Sequence, residues 1–207
     1  MEITKAIENR MSYRSFKNDP IERKKIEEIV KAGSLAPSCF NNQPWRYVVV
    51  DTKEDLEKLY PAIAEGNYWM KLAPVIIAIV SHKDFDCVIK SRTYHQFDTG
   101  MATGFMLLKA QELGIHTHLV AGYSPSKTRK ILGIPEDMEV VSLMALGYLS
   151  EDLPQELSDQ HKSIDEEKLR GKRAKRHPLE KILHYNGYDG KKDEEERQKM
   201  EKSEDEK

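Results

Sequence analysis

Two periods of hydrophobic and polar positions run along this 207-residue chain. Near its start Ile3, Ala6 and Ile7 recur at helical spacing, in a segment that reaches Met11. Pro20 then punctuates, and in IERKKIEEIVKAGSLAP the residues Ile21, Ile26, Ile29, Val30 and Ala32 share one face while Glu and Lys cover the other. That pattern predicts an amphipathic helix ending near Ala36, before Pro37. The stretch WRYVVVD is β-branched and aromatic, which predicts a strand, and Asp51 and Thr52 are stop and cap signals for a helix through KEDLEKLYPAIA. Ala73 to Val80, APVIIAIV, is a continuous apolar run of strand length, consistent with a strand buried on both faces.

From Tyr94 to Leu113 the chain has no proline and is mostly small or apolar, with Gly114 placed as a C-cap; this predicts a buried central helix. Gly100 and Gly104 lie four apart on it, where glycine weakens a helix. They call for a second backbone at close range, from another helix of the same subunit or of a partner. IHTHLVAGY reads as a strand, PSKTRKILG as a short helix, and MEVVSLMALGYL as a further strand closed by Gly147. Alternating helices and strands argue for a sheet covered by helices.

Length and 39% hydrophobic content suit one domain with a sizeable core. We expect it to span 1–188, followed by a charged tail, 189–207, that is disordered or a solvated helix. A formal charge of −2 offers no field for nucleic acid or an anionic membrane. Cys39 and Cys87 are too few for a disulfide framework, and no apolar run has the length of a membrane span. The expectation is a cytoplasmic, reducing setting.

Candidate chemistry is sparse. Neither G-x-G-x-x-G nor G-x-x-x-x-G-K-[ST] occurs, which excludes the usual nucleotide loops. His116 and His118 share one face of a strand as a metal pair would, but no further ligand motif lies near, so packing or exposure is the reading and no metal is expected. Cys39 has no identifiable base and reads as a small pocket-lining residue. In NRMSYRSF, Arg10 and Arg14 flank Ser12; this suits either two solvated charges or a bound phosphate, whose oxygens match guanidinium and hydroxyl donors. APSCFNNQPWRYVVV sets Ser38, Asn41, Asn42 and Gln43 between Pro37 and Pro44, which suits recognition of a flat heterocycle or a loop that caps its own backbone.

These segments together resemble the nitroreductase family of FMN-dependent NAD(P)H oxidoreductases. NRMSYRSF resembles the family's R-x-S-x-R-x-F opening, and APSCFNNQPWRYVVV its A-P-S-x-x-N-x-Q-P-W strand entry. FDTGMATGFMLLKAQELGI resembles the central helix, HLVAGYS and LMALGYL two later strands, and KRHPLEKILHY the basic close. The resemblance implies an α+β three-layer sandwich, a mixed and mainly antiparallel sheet with helices on both faces, dimeric with FMN at the interface. It implies that Arg10, Ser12, Arg14, Lys175 and Arg176 hold the phosphate. Pro37, Ser38 and Asn41 would come from the opposite subunit or line the ring edge. Lys71 would face the pyrimidine oxygen, and a backbone N–H of Ala121 or Gly122 would face flavin N5, with glycine at 122 letting the backbone approach the ring. The flavin is then the reactive group and no side chain is a catalytic acid or base. NADPH or NADH would reduce it and a nitroaromatic, quinone or similar acceptor would reoxidise it in ping-pong order. Gly104 stands where many members carry asparagine, and SHKDFDCVIKSRTYH is too short for the helical lid of some members. Other chemistries open to the fold are a flavin-dependent dehalogenase or dehydrogenase and a non-catalytic flavin sensor or store.

Overall fold

The computed structural model describes residues 1–150, 176–188 and 190. Its centre is strand β3 (Val75–Ser81), buried along its whole length. Successive side chains on a strand point to opposite faces, so Ile76, Ala78 and Val80 enter one apolar core while Val75, Ile77 and Ile79 enter another. The unbroken apolar run in the sequence is therefore a strand wet on neither face, as expected. Each fully buried isoleucine there contributes about 1.5–3 kcal/mol relative to exposure.

Strand β2 (Arg46–Val50) pairs with one edge of β3, from Arg46 opposite Val80 to Val50 opposite Ile76. The other edge pairs with β7 (Glu139–Leu149), with a register shift between Ile79 and Val80. The far edge of β7 is divided. Strand β6 (His116–Val120) takes Leu143 to Gly147, and the short β1 (Phe16–Lys17) takes Tyr148 and Leu149. Every one of these pairs is antiparallel. The parallel component expected of a mixed sheet is confined, among the described residues, to an isolated bridge between Ser12 and Thr117. A separate hairpin joins β4 (Val88–Ile89) to β5 (Arg92–Thr93).

Helices α2 (Arg23–Ser34) and α4 (His95–Glu112) cover one face, packing Ile26, Ile29, Met106 and Ala110 on Ile77, Ile79, Met144 and Leu146. On the other face lie Leu56 and Leu59 of α3 (Lys53–Leu59), Ile131 of α5 (Pro125–Leu132), and Trp69 and Met70 from a 3₁₀ segment, Glu65–Leu72. The short α1 (Ile3–Asn9) packs against α4. Predicted punctuation is visible at the ends: Thr52 Oγ1 accepts the Asp55 N–H to open α3, and Gly133 at φ 65° closes α5.

Two glycine expectations change. Gly147 does not close its strand, because β7 runs on to Leu149; it is needed because Phe16 lies where a Cβ would be. Gly100 and Gly104 have, among the described residues and apart from their own helix backbone, no atom within 4 Å of a would-be Cβ, so no described helix is the close neighbour; α2 makes its close approach elsewhere, with Gly33 against Met106 and the Ala102 carbonyl.

Residues Arg173–Lys207 form a second unit. Within it α6 (Leu179–Ile182) starts after Pro178, and the rings of His184 and Tyr188 stack with centroids 4.6 Å apart. Lys175 and, apart from Gly190, the expected tail 189–207 lie outside the described residues. Among those described, no helix is long and apolar enough to cross a membrane.

Candidate functional site

The segment Arg10–Arg14 leaves α1 and lies along β6. Tyr13 is buried, and its carbonyl accepts a hydrogen bond from His118 Nδ1 at 2.8 Å. A carbonyl can only accept, so the Nδ1 position carries the imidazole proton. The His118 ring sits 4.5 Å from the Trp69 ring, and the Arg14 guanidinium lies 6.0 Å from the same indole. His116, next but one along the strand, meets Tyr13 edge-on at 4.5 Å. The two histidines do share a face, as their spacing predicts, and that face is aromatic packing.

Burial lowers the pKa of both histidines. For His118 burial is the largest cause; the Tyr13 carbonyl opposes it, and the charges of Arg14 and Arg10 reinforce it. Burial also raises the Tyr13 hydroxyl, against Arg10. The imidazoles are thereby neutral near pH 7, and the positive charge of this corner rests on Arg10 and Arg14. Arg14 over the Trp69 ring, with Ser12 and Arg10 on the same short segment, supplies guanidinium and hydroxyl donors of the kind suited to a phosphate-sized anion.

Strand β6 delivers Ala121 and Gly122 at its exit. The Gly122 carbonyl accepts from Ala64 N–H and from Asn67 Nδ2, both at 3.0 Å. A Cβ at 122 would meet that Asn67 amide, so a larger residue there must push the side chain off the Gly122 carbonyl. Lys71, two residues after Trp69, holds its ammonium 5.8 Å from the Tyr60 ring centroid. It also lines a cavity of about 650 Å³ with Asn18, Asp51, Tyr60 and Pro74; none of the other predicted site residues lines that cavity.

The loop from Pro37 to Pro44 is built differently. Phe40, Asn41 and Gln43 have φ of 48°, 58° and 51°. Asparagine tolerates that region, whereas Phe40 and Gln43 carry about 1–2 kcal/mol of backbone cost each. The loop is held by long-range partners: the Cys39 N–H donates to Asp98 Oδ2 at 2.6 Å, and Cys39 is bonded to Cys87. Cys39 is thus a crosslink rather than the pocket-lining thiol expected. Ser38 Oγ accepts the Gln43 N–H at 3.0 Å, and Gln43 Nε2 donates to the Asn41 carbonyl at 3.2 Å. Those two side chains serve the loop's own backbone, while the Asn41 side-chain amide makes no hydrogen bond among the described residues, its backbone N–H donating to the Ser38 carbonyl.

Within the first unit the predicted residues fall into two groups. Arg10, Ser12, Arg14, Ala121, Gly122 and the segment carrying Lys71 surround β6 and Trp69, whose indole belongs to the core on the α3 and α5 face. Pro37, Ser38 and Asn41 ride on α4, which packs on the opposite face. Arg176 lies in the second unit. Sequence reasoning missed Tyr13, Trp69, Asn67 and Asp98. The signal for the first two was the single aromatic in R-M-S-Y-R and the H-T-H alternation that needs a ring partner; nothing local marks Asp98.

Residues 7–68 and 66–148 match the model of the nitroreductase family, and the chain belongs to that family as one of its enzymes. A protein of Archaeoglobus fulgidus, provisionally named NADH dehydrogenase/NAD(P)H nitroreductase, is 33% identical over 153 residues, covering 71% of this chain and 85% of the relative. The FMN reductase (NAD(P)H) of Bacillus subtilis is 26% identical over 164 residues, covering 71% and 66%. A solved structure described as an oxidoreductase containing FMN superposes with a TM-score of 0.74 at 28% identity, covering 89% of this chain and 92% of the other.

Proposed function

We propose that this protein is an FMN-dependent oxidoreductase that moves hydride from NADPH or NADH to a nitroaromatic, quinone or similar acceptor in ping-pong order, as a homodimer with flavin at the interface. The observation that carries this reading is the split of the site. The anion-binding corner around Arg10, Ser12 and Arg14 and the Pro37–Asn41 loop rest on opposite faces of one sheet, so a second copy is what brings one against the other. The outer face of α4 is suited to that meeting: Phe97 and Phe105 are exposed large apolar side chains on it, and Gly100 and Gly104 open space between them.

The donor set fits FMN. Arg10, Arg14 and Ser12 would hold the phosphate by charge-assisted bonds, a role the family resemblance also expects of Arg176 and Lys175. Lys71 would offset negative charge at the pyrimidine oxygen, and the Ala121 or Gly122 amide would orient the ring at N5. Asn41, whose side-chain amide is uncommitted among the described residues, and Pro37 and Ser38 would close the ring edge from the partner. When bound, FMN supplies the chemistry itself, taking hydride from the nicotinamide and passing the electrons on. Neutral His116 and His118 keep the anion corner packed without adding charge, and Trp69 excludes water beneath Arg14.

The test is the visible spectrum of the purified protein, followed by NADPH and NADH oxidation with a nitroaromatic or quinone present. A flavin band and acceptor-dependent oxidation are expected. A colourless protein that takes up no added FMN would overturn the reading.

A further inference from the structure

Cys39 and Cys87 are 48 residues apart in sequence and meet with Cα atoms 6.1 Å apart, between the Pro37–Pro44 loop and the turn before β4. Asp86, directly before Cys87, is 8% exposed. Its Oδ1 accepts the Cys87 N–H at 2.8 Å and Asn42 Nδ2 at 3.4 Å. Its Oδ2 is buried and takes no hydrogen bond from an N–H or O–H donor among the described residues. The two sulfurs and an Asp86 carboxylate oxygen all lie within 4.8 Å of one another. A second buried carboxyl stands beside them. It belongs to Asp98, 2% exposed, whose Oδ2 accepts the Cys39 N–H at 2.6 Å.

We propose that Cys39, Cys87 and Asp86 form a redox-gated site for a thiophilic divalent cation of the zinc class. In the disulfide state the sulfurs have no charge to offer. A dithiol reductant converts the disulfide to two thiols and is itself oxidised to a disulfide; a divalent zinc ion then displaces both thiol protons, giving two Zn–S bonds and releasing two protons. Asp86 is the third ligand, and water completes a tetrahedron. Sulfur favours zinc over magnesium or calcium, and the two thiolates alone neutralise the divalent ion, with the Asp86 carboxylate adding one negative charge. A Cα separation of 6.1 Å suits a disulfide. Two zinc–sulfur bonds of about 2.3 Å need the sulfurs to part to only about 4 Å, which side-chain rotation supplies. Asp98 positions the site by holding the Cys39 N–H. In both states the strained loop stays tied to the turn at Asp86, by a covalent bond or by a metal.

The experiment uses the full chain, reduced with a dithiol, freed of reductant by gel filtration without oxygen, and exposed to zinc chloride alone. After desalting, one zinc per chain and about two protons released per zinc are expected from the reduced protein, and none retained by the air-oxidised protein. Cys39→Ser and Cys87→Ser should each lose retention, and Asp86→Asn should bind at least tenfold more weakly. The reduced-against-oxidised comparison needs no variant, so a misfolded substitution does not decide the outcome. Equal zinc retention by the oxidised and reduced proteins, or none by either, would overturn the site.

Discussion

The ring of Phe16 lies over Gly147, so close that a Cβ on the glycine would stand 2.7 Å from Phe16 Cδ1 and 2.9 Å from Phe16 Cβ. Phe16 follows Arg14 by two residues and opens β1, whose pairings are Phe16 with Leu149 and Lys17 with Tyr148. The fit of one ring on one glycine therefore sets where the arginine segment leaves the sheet. Gly147→Ala should destabilise the protein by about 1–3 kcal/mol, as overpacking does. Adding Phe16→Leu should restore part of the loss in urea unfolding. A Gly147→Ala protein as stable as the parent would show that the ring gives way freely.

Removing one phosphate contact should weaken the cofactor without unfolding the chain. Arg10→Ala and Arg176→Ala should each cost about 1.5–3 kcal/mol of FMN binding, or roughly ten- to a hundredfold in Kd, measured by flavin fluorescence. Unchanged Kd in both variants would remove the phosphate assignment.

Leucine at both 100 and 104 meets open space among the described residues of its own chain. The doubly substituted protein should fold, with a helix slightly strengthened by the loss of glycine, yet fail to bring two α4 helices together. Sedimentation velocity should report a monomer that has lost flavin. A flavin-loaded monomer, parent or variant, contradicts the interface.

The buried histidines set an acid limit. Both titrate below the ordinary 6.5 in the folded chain because burial disfavours the imidazolium. Below about pH 6.5 the unfolded chain then binds more protons than the folded one, so stability is complete above that pH and falls as acid is added, until the folded-state pKa values are passed. Urea midpoints at pH 7.5, 6 and 5 should decline, and His118→Gln should flatten the decline. The same slope in His118→Gln would place the titration elsewhere.

Local pattern was enough wherever one residue type does one job along the chain. The apolar run of β3, the amphipathic face of α2, the Thr52 cap and the H-T-H alternation all appear where their periodicity places them. What escaped depends on distant partners. Gly147 looked like a strand end because Phe16 is 131 residues away in sequence. The left-handed backbone at Phe40 and Gln43, neither a residue that favours it, is imposed through Asp98 and Cys87, and no window of sequence contains both ends of those contacts. Gly100 and Gly104 call for a neighbour that, among the described residues, the same chain does not supply.

The divided edge of β7 also governs the order in which this protein can be made. β7 is the strand to which β1, β3 and β6 all attach, and it begins at Glu139, after each of those has been synthesised. While the ribosome is still short of that point, β2 and β3 can form a hairpin-like pair, but β1 and β6 have no strand to join, and the apolar side chains of β3 have only part of their cover. Assembly of the sheet is consequently a late, non-local event, with Phe16 closing onto a strand more than a hundred residues downstream. The nascent chain passes through a stage in which its most apolar strand has an open edge, which makes translation speed and chaperone access part of how this fold is reached.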